Sequence, residues 1–167
     1  MNKTIFITGA AKRIGKEIAL TFKELGWNII IHYNSSKEAA DDLAAEINNS
    51  NANSAVTVQG NLDVKEDVEK IISEVLDAFP SVDLLINNAS TFYPTPIDDI
   101  SEDHWEKLIG SNLKGPMFLI KGLKQKLKES NGSIINITDT NLSKGVANYS
   151  IYSAAKAGLE AITKGLA

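Results

Sequence analysis

The stretch Thr4-Ile5-Phe6-Ile7-Thr8-Gly9-Ala10-Ala11-Lys12-Arg13-Ile14-Gly15 decides the architecture. A short apolar run (KTIFI, residues 3 to 7) enters a turn with glycines at both ends, after which Ile14, Ile18, Phe22 and Leu25 repeat at three and four residues up to Gly26. This is a strand passing directly into a helix. Gly9 permits a tight turn and Gly15 a close helix approach, so the helix N-terminus can present free amides and positive dipole to a phosphate. A glycine turn alone is weak evidence, and Arg13 stands where a middle glycine is usual, so an ordinary strand-to-helix turn is the alternative.

Outward from this turn the pattern repeats. Runs at 28–32 (NIIIH), 55–59 (AVTVQ), 83–87 (DLLIN) and 133–138 (SIINIT) read as strands. Between them lie helical periods on Leu43 and Ile47, on Val68, Ile71, Ile72, Val75, Leu76 and Phe79, and from Ser101 to Lys128, where Pro116 should kink or divide the helix. Strands apolar on both faces and alternating with helices imply a parallel sheet covered on each side. The expected fold is a doubly wound α/β sheet of at least five strands in the order 3-2-1-4-5, forming one domain over residues 1–167.

Composition narrows the function. The 167 residues include no cysteine, which excludes disulfides, thiolate metal sites and a cysteine nucleophile. With 21 acidic residues against 17 basic ones, of which only Arg13 is arginine, there is no surface to track nucleic acid. No run approaches the roughly 18 apolar residues of a membrane span, and the N-terminus enters a strand at once, so a cytoplasmic protein without a targeting segment is expected. No metal site is expected, and any redox chemistry needs an organic cofactor.

An NAD site usually places an acid at the end of the second strand to hold the ribose 2'-hydroxyl. This chain has Tyr33, Asn34, Ser35 and Ser36 there, with Lys12 and Arg13 in the turn, and NADPH fits better. Ser36 also reads as the N-cap of the next helix. Near the end, Tyr152 and Lys156 stand one helical turn apart, where an ammonium can lower the pKa of a phenol acting as acid and base. The spacing is cheap by itself, at roughly 0.4 chance occurrences in such a chain.

In this order, the Gly9–Gly15 turn, Asn87-Asn88-Ala89, Asn112 and the Tyr152/Lys156 pair resemble the short-chain dehydrogenase/reductase family, whose fold is Rossmann-like. Four departures resemble its pteridine reductase branch: Arg13, Ser90 after Asn-Asn-Ala, the run Phe92-Tyr93-Pro94-Thr95-Pro96, and Asp139 where most relatives carry serine. The resemblance implies a reductase moving hydride from NADPH to a C=N bond of a pterin-like small molecule. A carbonyl reductase is the alternative, and a cofactor-binding module without turnover is the third reading.

It implies Asn112, Tyr152 and Lys156 as the catalytic relay, with Asp139 sharing the proton. Gly9, Lys12, Arg13, Ile14, Gly15, Tyr33, Asn34, Ser36, Asn61, Leu62, Asn88, Ala89, Ser90, Tyr152 and Lys156 would bind the cofactor. Arg13, Ser90, Phe92, Asp139 and Tyr152 would bind substrate, with Phe92 stacked on the pterin. Each has a plain alternative: Phe92 as core, Asp139 as a loop cap, Asn112 as a partner for backbone at the Pro116 kink. Asn61 replaces the branch's adenine-binding aspartate, and Ser35 an arginine seen in some members. The resemblance further implies two more strands and a lid, making the chain short at its C-terminus, and a homodimer or homotetramer through segment 101–128 and the last helix.

Overall fold

The computed structural model describes residues 2–142 and 144–167. Five strands form one parallel sheet in the order β3-β2-β1-β4-β5, as the alternating pattern requires. The strands are β1 (Thr4–Ile7), β2 (Asn28–Tyr33), β3 (Ala55–Gln59), β4 (Leu84–Asn87) and β5 (Ser133–Asn136). The helices are α1 (Arg13–Glu24), α2 (Lys37–Ser50), α3 (Lys65–Ala78), α4 (Glu102–Ile109), α5 (Gly115–Glu129) and α6 (Ser150–Leu166). β1 and β4 are in register from Ile5 opposite Leu84 to Ile7 opposite Ile86, so the ends of both strands open onto one edge.

Alternation along the strands splits the core in two. Ile5, Ile7, Ile29 and Ile31 pack with Ala19 of α1 and with Ala40, Leu43 and Ile47 of α2. Phe6, Ile30 and Val58 point to the other face, against Val68, Ile71 and Val75 of α3 and Leu119 and Leu123 of α5. The expectation of a sheet covered on both sides holds at the centre and fails at β5, where Ile135 is 48% exposed.

The segment read as one helix around Pro116 is indeed divided, but ahead of the proline. Residues Gly110–Lys114 form a π-helical turn between α4 and α5. Pro116 falls in the first turn of α5, where its missing amide costs nothing. The backbone at Gly110 and Gly115 presses on the β3–α3 connection: a Cβ on Gly115 would lie 3.0 Å from the Cβ of Leu62. The wide turn brings Asn112, with no exposed surface, beneath the loop after β4.

Candidate active site

At the carboxyl ends of β1, β2, β3 and β4 lies a cleft of about 390 Å³. Gly9, Lys12, Arg13, Ile14, Gly15, Asn34, Asn61, Leu62, Asn88, Ala89 and Ser90 line it, eleven of the fifteen residues expected to hold a cofactor. The turn that forms its floor demands glycine for two separate reasons. Gly9 sits at φ +64°, where a side chain is strained, and a Cβ on Gly15 would lie 2.7 Å from Asn88 Nδ2 and 2.8 Å from Ala10 Cα. Arg13 holds φ +53° without being glycine, a conformation that costs an L-residue about 1 kcal/mol or more. Lys12 caps α1 with no side-chain hydrogen bond, leaving the first amides of the helix to a ligand. This cradle fits a pyrophosphate.

Asn88 binds the floor to the wall, its Nδ2 donating to Thr8 O at 2.9 Å and Gly9 O at 3.2 Å. Asn61 turns its Oδ1 to the Asp63 amide, while its own amide donates to Asp67 Oδ2 at 2.7 Å. Ser36 is outside the cleft, in a neighbouring depression with Lys12, Ser35, Lys37, Glu38 and Asp42. It precedes α2 as expected of an N-cap, yet its side chain makes no capping bond. Tyr33 is a correction: the alternation of β2 turns its ring into the core against α1 and α2, so the side chain does not line the cleft.

On α6, Tyr152 Oη donates to Asp139 Oδ2 at 2.9 Å, and Asp139 Oδ1 accepts the Asn141 amide at 2.7 Å. Asp139 is thus both the loop cap and the partner of the phenol. Those two bonds, the amide first, hold its pKa below the usual carboxylate value. The lowered pKa favours the carboxylate, which accepts the hydrogen bond of the phenolic proton, the contact that sharing of that proton requires.

Lys156 also departs from expectation. Its Nζ donates to Ile137 O at 2.9 Å and lies 5.9 Å from the centre of the Tyr152 ring. Burial lowers its pKa. The phenol is pushed up to about 12, by burial first and then by the Asp139 carboxylate, because the acid touches the hydroxyl and the ammonium does not. The phenol therefore keeps its proton at neutral pH. Ser90, in the cleft lining, donates its Oγ to Asn112 Oδ1 at 2.8 Å. Asn112 Nδ2 donates to Thr91 O and Leu108 O, so the backbone reading of Asn112 holds alongside its link to Ser90.

Phe92 is 56% exposed, which removes the core reading. Its ring stacks on Tyr149 at 4.4 Å and meets the edge of Tyr152 at 4.8 Å. Sequence reasoning missed Tyr149, whose signal was its place three residues before Tyr152. It also missed His32, Thr91 and Ser111 in the cleft lining; His32 was visible as a polar residue inside the run NIIIHY.

Tyr152 and Lys156 lie on α6 and do not themselves line the cleft. A parallel sheet with a phosphate cradle at its strand ends and a Tyr-Lys pair on the last helix defines an oxidoreductase of the nicotinamide-dependent class. The model of short chain dehydrogenases matches residues 3–167, and the chain belongs to that family. It is 36% identical over 165 residues to a 3-oxoacyl-(acyl-carrier-protein) reductase of Staphylococcus epidermidis, covering 98% of this chain and 67% of the relative. It is 36% identical to a 3-oxoacyl-(acyl-carrier-protein) reductase of Synechocystis, covering 96% and 65%. Pteridine reductase 1 of Leishmania tarentolae is 32% identical over 201 aligned positions, covering 96% and 69%. The ranking favours the carbonyl-reductase alternative over the pteridine branch. No helix among the described residues is long and apolar enough to cross a membrane, and no cluster among them could hold a metal ion.

Proposed function

We propose that the chain carries the cofactor site and proton donor of an NADPH-dependent reductase acting on a polarised double bond of a small molecule. The observation that carries this reading is the Tyr152 hydroxyl, a phenol kept protonated and held to Asp139 Oδ2 at 2.9 Å. When bound, NADPH supplies the hydride. The turn from Gly9 to Gly15 makes room for its pyrophosphate, which the first amides of α1 would hold, and Lys12 and Ser36 would receive the 2'-phosphate in the depression where β2 ends without an acid. Tyr152 donates its proton to the heteroatom as charge grows there, and Asp139 orients the phenol through the loop it caps.

On the two 3-oxoacyl-(acyl-carrier-protein) reductases, that heteroatom is the oxygen of the 3-oxo group, and this reading stands first. A second, the C=N bond of a pterin, draws on Asp139 and Phe92. An ionised carboxylate beside the phenol repels a growing alkoxide but accepts from a ring N–H, and the exposed Phe92 ring offers a flat apolar surface. The exposed Trp105, Met117 and Phe118 on α4 and α5 support assembly of two or four copies through these helices.

The test follows NADPH oxidation with a 3-oxoacyl thioester and with dihydrobiopterin, in the protein and in Asp139→Ser. Turnover of the thioester, retained or raised by the serine, establishes the carbonyl reading. Turnover of the pterin, lost with the serine, establishes the second. An absence of NADPH binding refutes both.

A further inference from the structure

One buried polar ring in the cleft belongs to neither end of the chemistry. His32, on β2, is 2% exposed. Its Nδ1 accepts the Gly9 amide at 3.1 Å, and its Nε2 lies 3.0 Å from Gly60 O. An amide can only donate and a carbonyl only accept, so these two partners select one state: a neutral imidazole with its proton on Nε2 and a lone pair on Nδ1. Burial favours the same state, lowering the pKa to about 4. The strand adds a third tie, because the His32 carbonyl accepts the Ala10 amide at 2.9 Å.

The two groups joined by the ring belong to opposite walls of the cleft. Gly9 opens the phosphate turn, and its left-handed conformation lets the Gly9 carbonyl approach Asn88. Gly60 follows β3 and leads straight into Asn61 and Leu62, which line the other wall. Backbone bonds also tie each side to β2, the Ala10 amide to His32 O at 2.9 Å and the Gly60 amide to Tyr33 O at 3.1 Å, and the ring adds a side-chain link that spans from one to the other. We propose that His32 is a positioning residue for the cofactor: its neutral ring clamps the phosphate turn to the β3–α3 connection and holds the two walls of the dinucleotide cleft at binding distance. The clamp also occupies the Gly9 amide, leaving phosphate recognition to the amides that begin α1.

This inference rests on the dinucleotide reading above, and its test separates the two. His32→Phe keeps a flat ring and removes both nitrogens, stranding the Gly9 amide and the Gly60 carbonyl. His32→Asn restores an acceptor near the Nδ1 position. Each protein is titrated with NADPH and with NADH by fluorescence, since the clamped walls meet the part common to both. Phenylalanine should raise the dissociation constant about tenfold or more, and asparagine should recover most of the loss, whereas a merely space-filling histidine would be served better by phenylalanine. Equal binding by wild type and His32→Phe overturns the proposal.

A second measurement needs no variant to fold. Long-range proton–nitrogen correlation spectra of the ¹⁵N-labelled wild-type protein at pH 7 should show the proton on Nε2 of His32, and an Nδ1–H or cationic ring overturns the clamp. Binding of NADH without NADPH would defeat the NADPH reading while the clamp is still measured with NADH. Binding of neither would defeat both.

Discussion

Around Gly9 the chain is fixed largely by its own backbone: the Thr8 amide donates to Ile86 O at 3.0 Å, the Ala10 amide to His32 O at 2.9 Å, and Asn88 closes the set from the side. Around Tyr152 the ties run between side chains. The phenol meets Asp139, Phe92 lies against Tyr149, and Ser90 reaches Asn112. The first region sits on β1, every residue of which is buried, and the second borders β5, whose Ile135 is half exposed. A phosphate is met by donors whose geometry the fold can hold rigidly, whereas a reacting heteroatom needs groups that change their charge or partner during turnover. Substitutions in the first region should therefore act on binding and stability, and those in the second on turnover.

The largest expected effect would break the comparison outright if it fell on binding. Tyr152→Phe keeps the ring against Phe92 and removes the proton, and it should cut turnover by ~10²- to 10⁴-fold. NADPH affinity measured by fluorescence should stay within about twofold, since no phosphate contact is lost. A fall in affinity matching the fall in turnover would place the phenol in the binding region.

Acid should act on the first region through His32. The native ring titrates near 4 and the unfolded one near 6.5, so below 6.5 the unfolded chain binds the extra proton. The stabilisation is complete above pH 6.5 and is lost as pH falls towards 4, by about 3 kcal/mol over the full interval. Urea unfolding at pH 7 and pH 4.5 should show this slope in the wild type and its absence in His32→Asn, with the other carboxylate contributions common to both.

The smallest effect sharpens the contrast. Phe92→Ala removes a ring already more than half exposed, so thermal unfolding should register less than about 1 kcal/mol of stability. Its consequence should appear in the Michaelis constant for a flat aromatic substrate. An aliphatic thioester would feel the change far less, which links this variant to the choice between the two acceptors.

The turn at 8–15 and the strand order were legible because they depend on local rules: a strand-to-helix turn, glycine where a side chain cannot fit, and apolar runs that alternate with helical periods, whereas the cleft residues from Asn61 to Ser90 were named through the family resemblance. Pro116 marked a division in the long helical segment but not its location, since Gly110 and Gly115 press against residues some fifty positions earlier in the chain. Tyr33 looked like a cofactor contact because it lies beside Asn34, and only the pleat of β2 decides which of two neighbours faces the cleft.

The chain order by itself determined the doubly wound sheet, the phosphate turn and the pairing of Tyr152 with Lys156 on one helical face, because each follows from spacing along a regular element. Charge and proton state were decided by tertiary structure. Asp139 reaches Tyr152, thirteen positions later and on α6, Lys156 turns instead to Ile137 O, and His32 joins two turns that neighbour it only in space. Burial and partner distance set a pKa or a tautomer, and neither is a property of sequence spacing.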